Sequence, residues 1–481
     1  MTWPALGTLQ SPKAELRVRL SAGLCAMICL FWSRAPQFRN EVSSFAIWEQ
    51  SFGIPVKNLL TLEYPREAME IAGIGSMSGM CREVRNILVV SETFLGGGLE
   101  TQLVGQARYL AGRGVRMHLA TASSRNPLAD EVFASSLYDL SMNRGPEDVR
   151  DMVARLGAFV DEHEVDVVHA HPFLSLLIGM IVAHQKRLPL VATLHGPASV
   201  SVGDDTIFDL LFQKALLPEA SLQFAVSEEV VFLAKSMGDC DPEVLPNAVD
   251  VPSRPAPAPD PGLPWLWAGR LDSFKLPGLR CLIAEVLRRK SHALHIYGDG
   301  PATDELRQYL SQADPEGRWI AMGGWDDRLA EHMANYSLVA GMGRVLLEGA
   351  AASRPCMLVG YDGIKGLLTP KEMAEAARWN FSGRGLLNEG SEELDQQLQA
   401  LQHQPERFML YDWVRTHRSA AAIWETYLSR LQSLKPFSSK LVDDLTKCLL
   451  FAGTSGVSVW SDYRMFRVLR NLLKARTRQA S

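Results

Sequence analysis

The sequence predicts an α/β protein made of two doubly wound, parallel-sheet halves that face one another across a cleft. Three observations carry that expectation. Short apolar runs alternate with helical patterns from Val84 onward, a proline-rich stretch interrupts them at 251–264, and the alternation then starts again. Runs that are apolar throughout, rather than at every second residue, suit strands covered on both faces. Strand–helix alternation is the pattern of a parallel sheet. At 481 residues the chain exceeds one ordinary core, so two domains with appendages are expected.

In the first half, taken as 83–250, the run Val84–Val90 leads through a glycine triplet into a helix at Leu99–Arg113. Leu99, Leu103, Ala107 and Leu110 share a face there, and Gly114 follows as a C-terminal cap. Further strands are expected at Val115–Thr121, Val165–Ala170, Leu190–Leu194, Leu222–Ser227 and Glu243–Pro246, with a helical pattern at Glu147–His163. Six prolines make Val251–Pro264 a semi-rigid linker. The second half, 265–405, has strand-like runs at Trp265–Ala268, Ala293–Tyr297, Trp319–Gly323, Ser337–Ala340 and Cys356–Gly360. From Ser391 to about Leu431 the pattern is helical.

Both ends read as extensions. Residues 1–82 are expected to be poorly ordered. Their apolar run Leu20–Trp32 matches a signal-peptide core but is short for a spanning helix, and Ser33-Arg34-Ala35-Pro36 is a poor cleavage site. Met77 and Met80 stand just ahead of the first strand, so a start-codon artefact is a second reading of the same stretch. Residues 434–481 form another extension, and Arg464–Arg478 carries six basic residues among apolar ones. Such a helix suits peripheral contact with an anionic membrane, or a solvated helix docked on the body.

Composition excludes some classes. A net charge of −5 leaves no electrostatic footprint for nucleic acid. Seven scattered cysteines without a CxxC pair fit reduced thiols in the cytoplasm better than disulfides or structural zinc.

The residues that carry chemistry stand at the carboxyl ends of the expected strands, where open α/β sheets bind ligands. Gly96-Gly97-Gly98 can cradle a phosphate at a helix N-terminus, admit an acceptor close to the backbone, or simply make a tight turn. His169-Ala170-His171 and His195-Gly196 end two strands; no third zinc-ligand spacing accompanies them, His169 reads as a buried structural ring, and His195 reads as a ligand contact. Ser227-Glu228-Glu229 reads as a capped, acidic helix start. In the second half, Arg270 in Gly269-Arg270-Leu271-Asp272 and Lys275 set two cations at one strand end, beside Gly298-Asp299-Gly300. That pairing suits a diphosphate. Gly341-Met342-Gly343-Arg344 then runs to Glu348, a helix N-terminal acid or a partner for a ribose diol.

Taken in order, these segments resemble the retaining group 1 (family 4) glycosyltransferases of the GT-B fold, with its two Rossmann-like domains. The matching text is ILVVSETFLGGGLETQ, VDVVHAHP, VATLHGPA, FAVSEEV, VLPNAVD, WAGRLDSFK, IYGDGP and GMGRVLLEGAAASRP, from about Val84 to Leu431. The resemblance implies transfer of a hexosyl-type sugar from a UDP- or GDP-sugar to a saccharide or lipid-linked acceptor, in envelope or exopolysaccharide synthesis, with no metal or other cofactor. It assigns the donor to Gly97, Gly98, Arg270, Lys275, Gly298, Gly300, Gly341, Met342, Gly343, Arg344 and Glu348. It puts Gly97, Gly98, His171 and His195 on the acceptor side, with His195, Arg270 and Lys275 as catalytic groups. It also implies that 406–433 cross back onto the first half.

One departure stands out: many members carry two glutamates eight positions apart, and Ala340 occupies the first position here, with Glu348 the second. Ala340 therefore motivates an alternative, a degenerate nucleotide-binding or scaffolding protein of the same fold. A dehydrogenase built on the glycine triplet is a third class, and Thr101 standing where a third glycine is needed argues against it.

Overall fold

The structure, a computed structural model, describes residues 83–94, 97–143, 146–201, 206–326 and 328–452. The extension 1–82 and the basic stretch Arg464–Arg478 lie outside the described residues.

The first sheet contains β1 (Asn86–Ser91), β2 (Arg116–Thr121), β3 (Ser135–Leu137), β4 (Val167–Ala170), β5 (Leu190–Leu194), β6 (Leu222–Ala225) and β7 (Glu243–Val244). Its order is β3-β2-β1-β4-β5-β6-β7, all parallel. Every residue of β1 is buried, because helices cover both faces. The principal helices of this half are α1 (Gly98–Ala111), α2 (Pro146–Glu162), α3 (Leu174–Lys186) and α4 (Glu228–Met237). One face packs Leu88, Val168, Leu176 and Met180 with α2 and α3; the other packs Ile87, Val89, Leu103 and Leu110 with α1.

The second sheet repeats the plan with β8 (Trp265–Ala268), β9 (Leu294–Tyr297), β10 (Ile320–Gly324), β11 (Leu338–Gly341), β12 (Cys356–Val359) and β13 (Ile364–Leu367). Its order is β10-β9-β8-β11-β12-β13, parallel except for β13, which pairs antiparallel with β12. Its helices are α5 (Leu276–Arg289), α6 (Thr303–Ala313), α7 (Arg344–Ala351), α8 (Pro370–Arg378), α9 (Ser391–His403) and α10 (Tyr411–His417). In both sheets the order reverses beside the first strand, the switch point at which such folds bind ligands.

The continuous helical pattern expected over 391–431 is broken in two places. A short 3-10 turn at Pro405–Phe408 separates α9 from α10, and α11 (Ala420–Gln432) begins after Arg418 and Ser419. The second break has a purpose. Leu410 and Val414 pack in the second half, whereas Ile423, Trp424, Tyr427 and Leu428 pack in the first, against α1. The chain crosses back between them, where Val249 N–H donates to Arg418 O (2.9 Å) and Ala420 N–H donates to Val249 O (3.0 Å). The two connections between the halves thus run side by side.

The stretch after 433, expected only as an extension, folds onto the first half. Phe437 N–H donates to Leu188 O (3.1 Å), and α12 (Lys440–Ala452) buries Val442 and Leu445 against the α2–α3 face. Away from the crossings, the halves are joined by Arg384, which grips buried Glu229 with two bonds of 2.7 Å, by Arg378 on Glu228 (2.9 Å), and by Asn247 on Asn380 (3.0 Å). The acidic opening of α4 therefore serves as more than a helix cap. Among the described residues, no helix is long and apolar enough to cross a membrane.

Candidate functional site

Strand β8 ends at Ala268, and the turn that follows places Arg270 and Lys275 on one carboxylate. Asp272 Oδ1 pairs with Arg270 Nε at 3.1 Å, and its Oδ2 pairs with Lys275 Nζ at 3.3 Å. Lys275 Nζ also donates to Arg270 O (3.3 Å). The pair is brought together as the spacing predicts, but Asp272, given no role in the sequence reading, is what orders it. Lys275 is 18% exposed and Arg270 55%, so the lysine is the more fixed and less screened charge. A 3-10 turn over Ser273–Lys275 then leads into α5, with the exposed ring of Phe274 beside Lys275.

Gly298 and Gly300, expected to line the donor, have a more immediate task. A Cβ on Gly298 would lie 2.0 Å from Gly269 O, and one on Gly300 would lie 2.3 Å from Leu271 O. Leu271 N–H donates to Asp299 O (3.0 Å), and Ala302 N–H donates to Leu271 O (2.9 Å). These glycines let the β9 loop press directly on the backbone that carries Arg270. Asp299 is spent on Gly300 N–H and the Thr303 hydroxyl, at the start of α6.

Past β11, Gly341 (φ +148) and Gly343 (φ +70) occupy backbone conformations that favour glycine. Gly343 caps α7 and faces open space, so the first amides of α7 lie at an uncrowded turn. Met342 packs against the hydrophobic cluster of the second half. Ala340 is fully buried inside β11, with Trp267 as its register partner. Arg344, expected on the donor side, is engaged within the protein. Its Nε bonds Glu348 Oε1 (2.6 Å), and its Nη1 donates to Gln102 Oε1 (3.1 Å) and Ala248 O, both in the first half. Glu348 is thus held by its own helix and is 19% exposed.

On the first half, Gly97 caps α1, and its carbonyl accepts from Thr101 N–H (3.0 Å) and the Thr101 hydroxyl (2.8 Å). Nothing lies within 4 Å of a Cβ on Gly98. The next strand ends carry a histidine stack. His195 Nε2 and His171 Nδ1 share a hydrogen bond of 2.7 Å, and the rings of His169 and His171 stand 5.0 Å apart. His169 is engaged on both sides, by Thr193 Oγ1 (2.8 Å) and by the Tyr427 hydroxyl of α11 (2.9 Å), as a structural ring should be. Buried His171 Nε2 has no partner among the described residues. His169 spends both nitrogens on Thr193 and Tyr427, and His171 and His195 spend one each on one another, so the three rings do not converge on a common point as metal ligands would. Among the described residues, no group of three or more His, Cys, Asp or Glu side chains could hold a metal ion.

Burial is the main cause that pushes His195 down to about 4 and His169 to about 3, and it holds His171 well below its usual range. All three are neutral near pH 7. The unfolded rings take protons near pH 6.5, so stability rises with pH between the folded and unfolded values and is lost as pH falls below about 6.5. His169 alone should remove about 2 kcal/mol between roughly pH 7 and pH 5. Urea melts across that window should show the loss, and His169→Gln should reduce it by about that amount, with the shares of His171 and His195 remaining.

Residues 96–252 match the family model described as Glycosyltransferase Family 4. Solved structures share the whole two-sheet plan. HepE from Anabaena, crystallised with UDP-glucose, is 18% identical with a TM-score of 0.56, covering 73% of this chain and 100% of its own. A glycosyltransferase from Rickettsia africae is 15% identical, with a TM-score of 0.53 and coverage of 73% and 98%. The sucrose-phosphate synthase of Thermosynechococcus elongatus is 15% identical, with a TM-score of 0.51 and coverage of 78% and 100%. A search of curated protein sequences finds no match. The fold is GT-B, and residues 96–252 of the first half match the family 4 model. The chain is a glycosyltransferase of the GT-B type.

Proposed function

We propose that the enzyme is a retaining, metal-independent glycosyltransferase of the cytoplasm, moving a sugar from a UDP- or GDP-sugar to a saccharide or lipid-linked acceptor in envelope or exopolysaccharide synthesis. One observation carries the reading: Arg270 and Lys275 converge on Asp272 at the end of β8, the switch point of the second sheet. A diphosphate there meets two charged donors, and Glu348 stands inside α7, the helix that follows the neighbouring strand β11, past its first turn, for the ribose. HepE, of like fold, holds UDP-glucose.

In this reading, the bond from the sugar's anomeric carbon to the diphosphate oxygen breaks while the acceptor oxygen bonds to the same face. The acceptor's proton passes to the departing phosphate oxygen. Arg270 and Lys275 stabilise the negative charge that grows on that oxygen, the task a divalent cation performs elsewhere. Neutral His195 hydrogen-bonds to a sugar hydroxyl rather than acting as a cation, and buried His171 positions it through their shared hydrogen bond. Gly97 and Gly98 admit the reacting sugar close to the start of α1.

Thermal-shift titration against UDP, GDP and their sugars, followed by transfer assays with and without EDTA, tests this. At one hundred times Kd, a ligand should add about 2.7 kcal/mol of stability. One conjugate should bind and turn over with its anomeric configuration kept and its rate unchanged by EDTA. Binding without turnover across the panel would favour the degenerate reading that Ala340 motivates. No binding at all would remove both.

A further inference from the structure

We propose that Arg344 is a positioning residue that ties Glu348 to the crossing between the halves, so that ribose recognition depends on how the halves are set. The inference rests on the donor reading above, in which Glu348 takes the ribose. A guanidinium has five donors in a planar fork and can serve several acceptors at once, which an ammonium cannot do in the same geometry. Arg344 uses this across three elements. Nε fixes Glu348 Oε1 on α7 (2.6 Å), while Nη1 reaches Gln102 Oε1 on α1 (3.1 Å) and Ala248 O. Gln102 Oε1 also accepts from Ala248 N–H (3.1 Å), which closes the set.

The site is built rather than incidental. Gln102 is 5% exposed, Ala248 is 3%, and the Arg344 side chain is 14%, so each bond is shielded from water. A buried arginine without its acceptors is costly, so the fork holds its position only while all three stay in place. Ala248 directly precedes Val249, which carries the bonds to the returning chain at Arg418 and Ala420. Glu348 is thereby referenced to the point about which the halves are joined. With Oε1 held by Arg344, Oε2 has no hydrogen-bond partner among the described residues and faces a ribose hydroxyl in this reading.

The test compares UDP with 2′-deoxy-UDP, or GDP with 2′-deoxy-GDP if the guanine nucleotide binds tighter. A charged hydrogen bond to the ribose predicts that the wild type prefers the ribonucleotide by about tenfold or more. Gln102→Leu lies in the other half and removes one anchor of Arg344. It should bring the ratio towards one while leaving the deoxynucleotide affinity unchanged. Gln102→Glu keeps the acceptor oxygens and should restore the ratio. Arg344→Lys should lose it as Gln102→Leu does, and provides the measurement if the leucine variant fails to fold. A merely structural role would lower the melting temperature without moving the ratio. An unchanged ratio in Gln102→Leu and Arg344→Lys overturns this inference alone. A wild type indifferent to the 2′-hydroxyl overturns the ribose assignment and the inference with it.

Discussion

Arg270→Ala and Lys275→Ala should each weaken UDP or GDP binding by about 1.5–3 kcal/mol, or roughly ten- to a hundredfold in Kd. The two effects are not equal. Lys275 is mostly buried and also braces the Arg270 carbonyl, whereas the Arg270 guanidinium is more than half in solvent. Screening therefore discounts the arginine, and the lysine variant should be the weaker binder. Asp272 decides how the pair behaves together. It neutralises one of two positive charges in the free enzyme, so a diphosphate has to share the cations with a carboxylate already on them. Removing one cation leaves Asp272 with a single partner, and the remaining cation is then less available to phosphate. The double variant should lose less than the sum of the single losses, as coupled neighbours do. Isothermal titration on all three proteins measures this, and undiminished nucleotide affinity in both single variants would sink the assignment.

Why could this pair be read in the sequence when the Arg344 node could not? Arg270 and Lys275 belong to one turn, so five residues of chain guarantee their proximity once β8 is recognised. The bonds of Arg344 join residues 242 and 96 positions apart, and nothing local marks Gln102 or Ala248 as partners. Its pair with Glu348, four residues on, was the one part within reach of helical spacing. The strands divide in the same way. Leu190–Leu194 and Trp265–Ala268 are apolar runs and emerge with the expected bounds. Ser135–Leu137 is short, half-buried and mostly serine, and Ile364–Leu367 is interrupted by Lys365 and Gly366 at a sheet edge. Neither has the continuous burial that writes a parallel strand into sequence. The crossing at Arg418–Ser419 was hidden for another reason. Both flanking helices are amphipathic, and only the change in which half they cover separates them.

Gly298→Ala should be among the most damaging single substitutions in the chain, and Gly98→Ala should leave the fold untouched. At Gly298 the backbone sits at φ +138, and a methyl would lie 2.0 Å from Gly269 O and 3.0 Å from Gly269 C. Both clashing atoms are backbone, and the bond from Gly298 N–H to Gly324 O (2.7 Å) restrains the loop from the other side. Strain of about 1–3 kcal/mol adds to overpacking of similar size. A loss of roughly 2–6 kcal/mol follows, or a melting temperature lower by roughly 4 °C or more. The turn bearing Arg270 is the part displaced, so nucleotide affinity should fall with stability. Gly98 is the opposite case, with no atom near a Cβ and no positive φ. Its alanine variant should melt within about a degree of the wild type. If the turn before α1 admits a reacting sugar, that variant should nevertheless lose most of its transfer rate. A Gly98→Ala enzyme as fast as the wild type would mean that the turn only starts a helix.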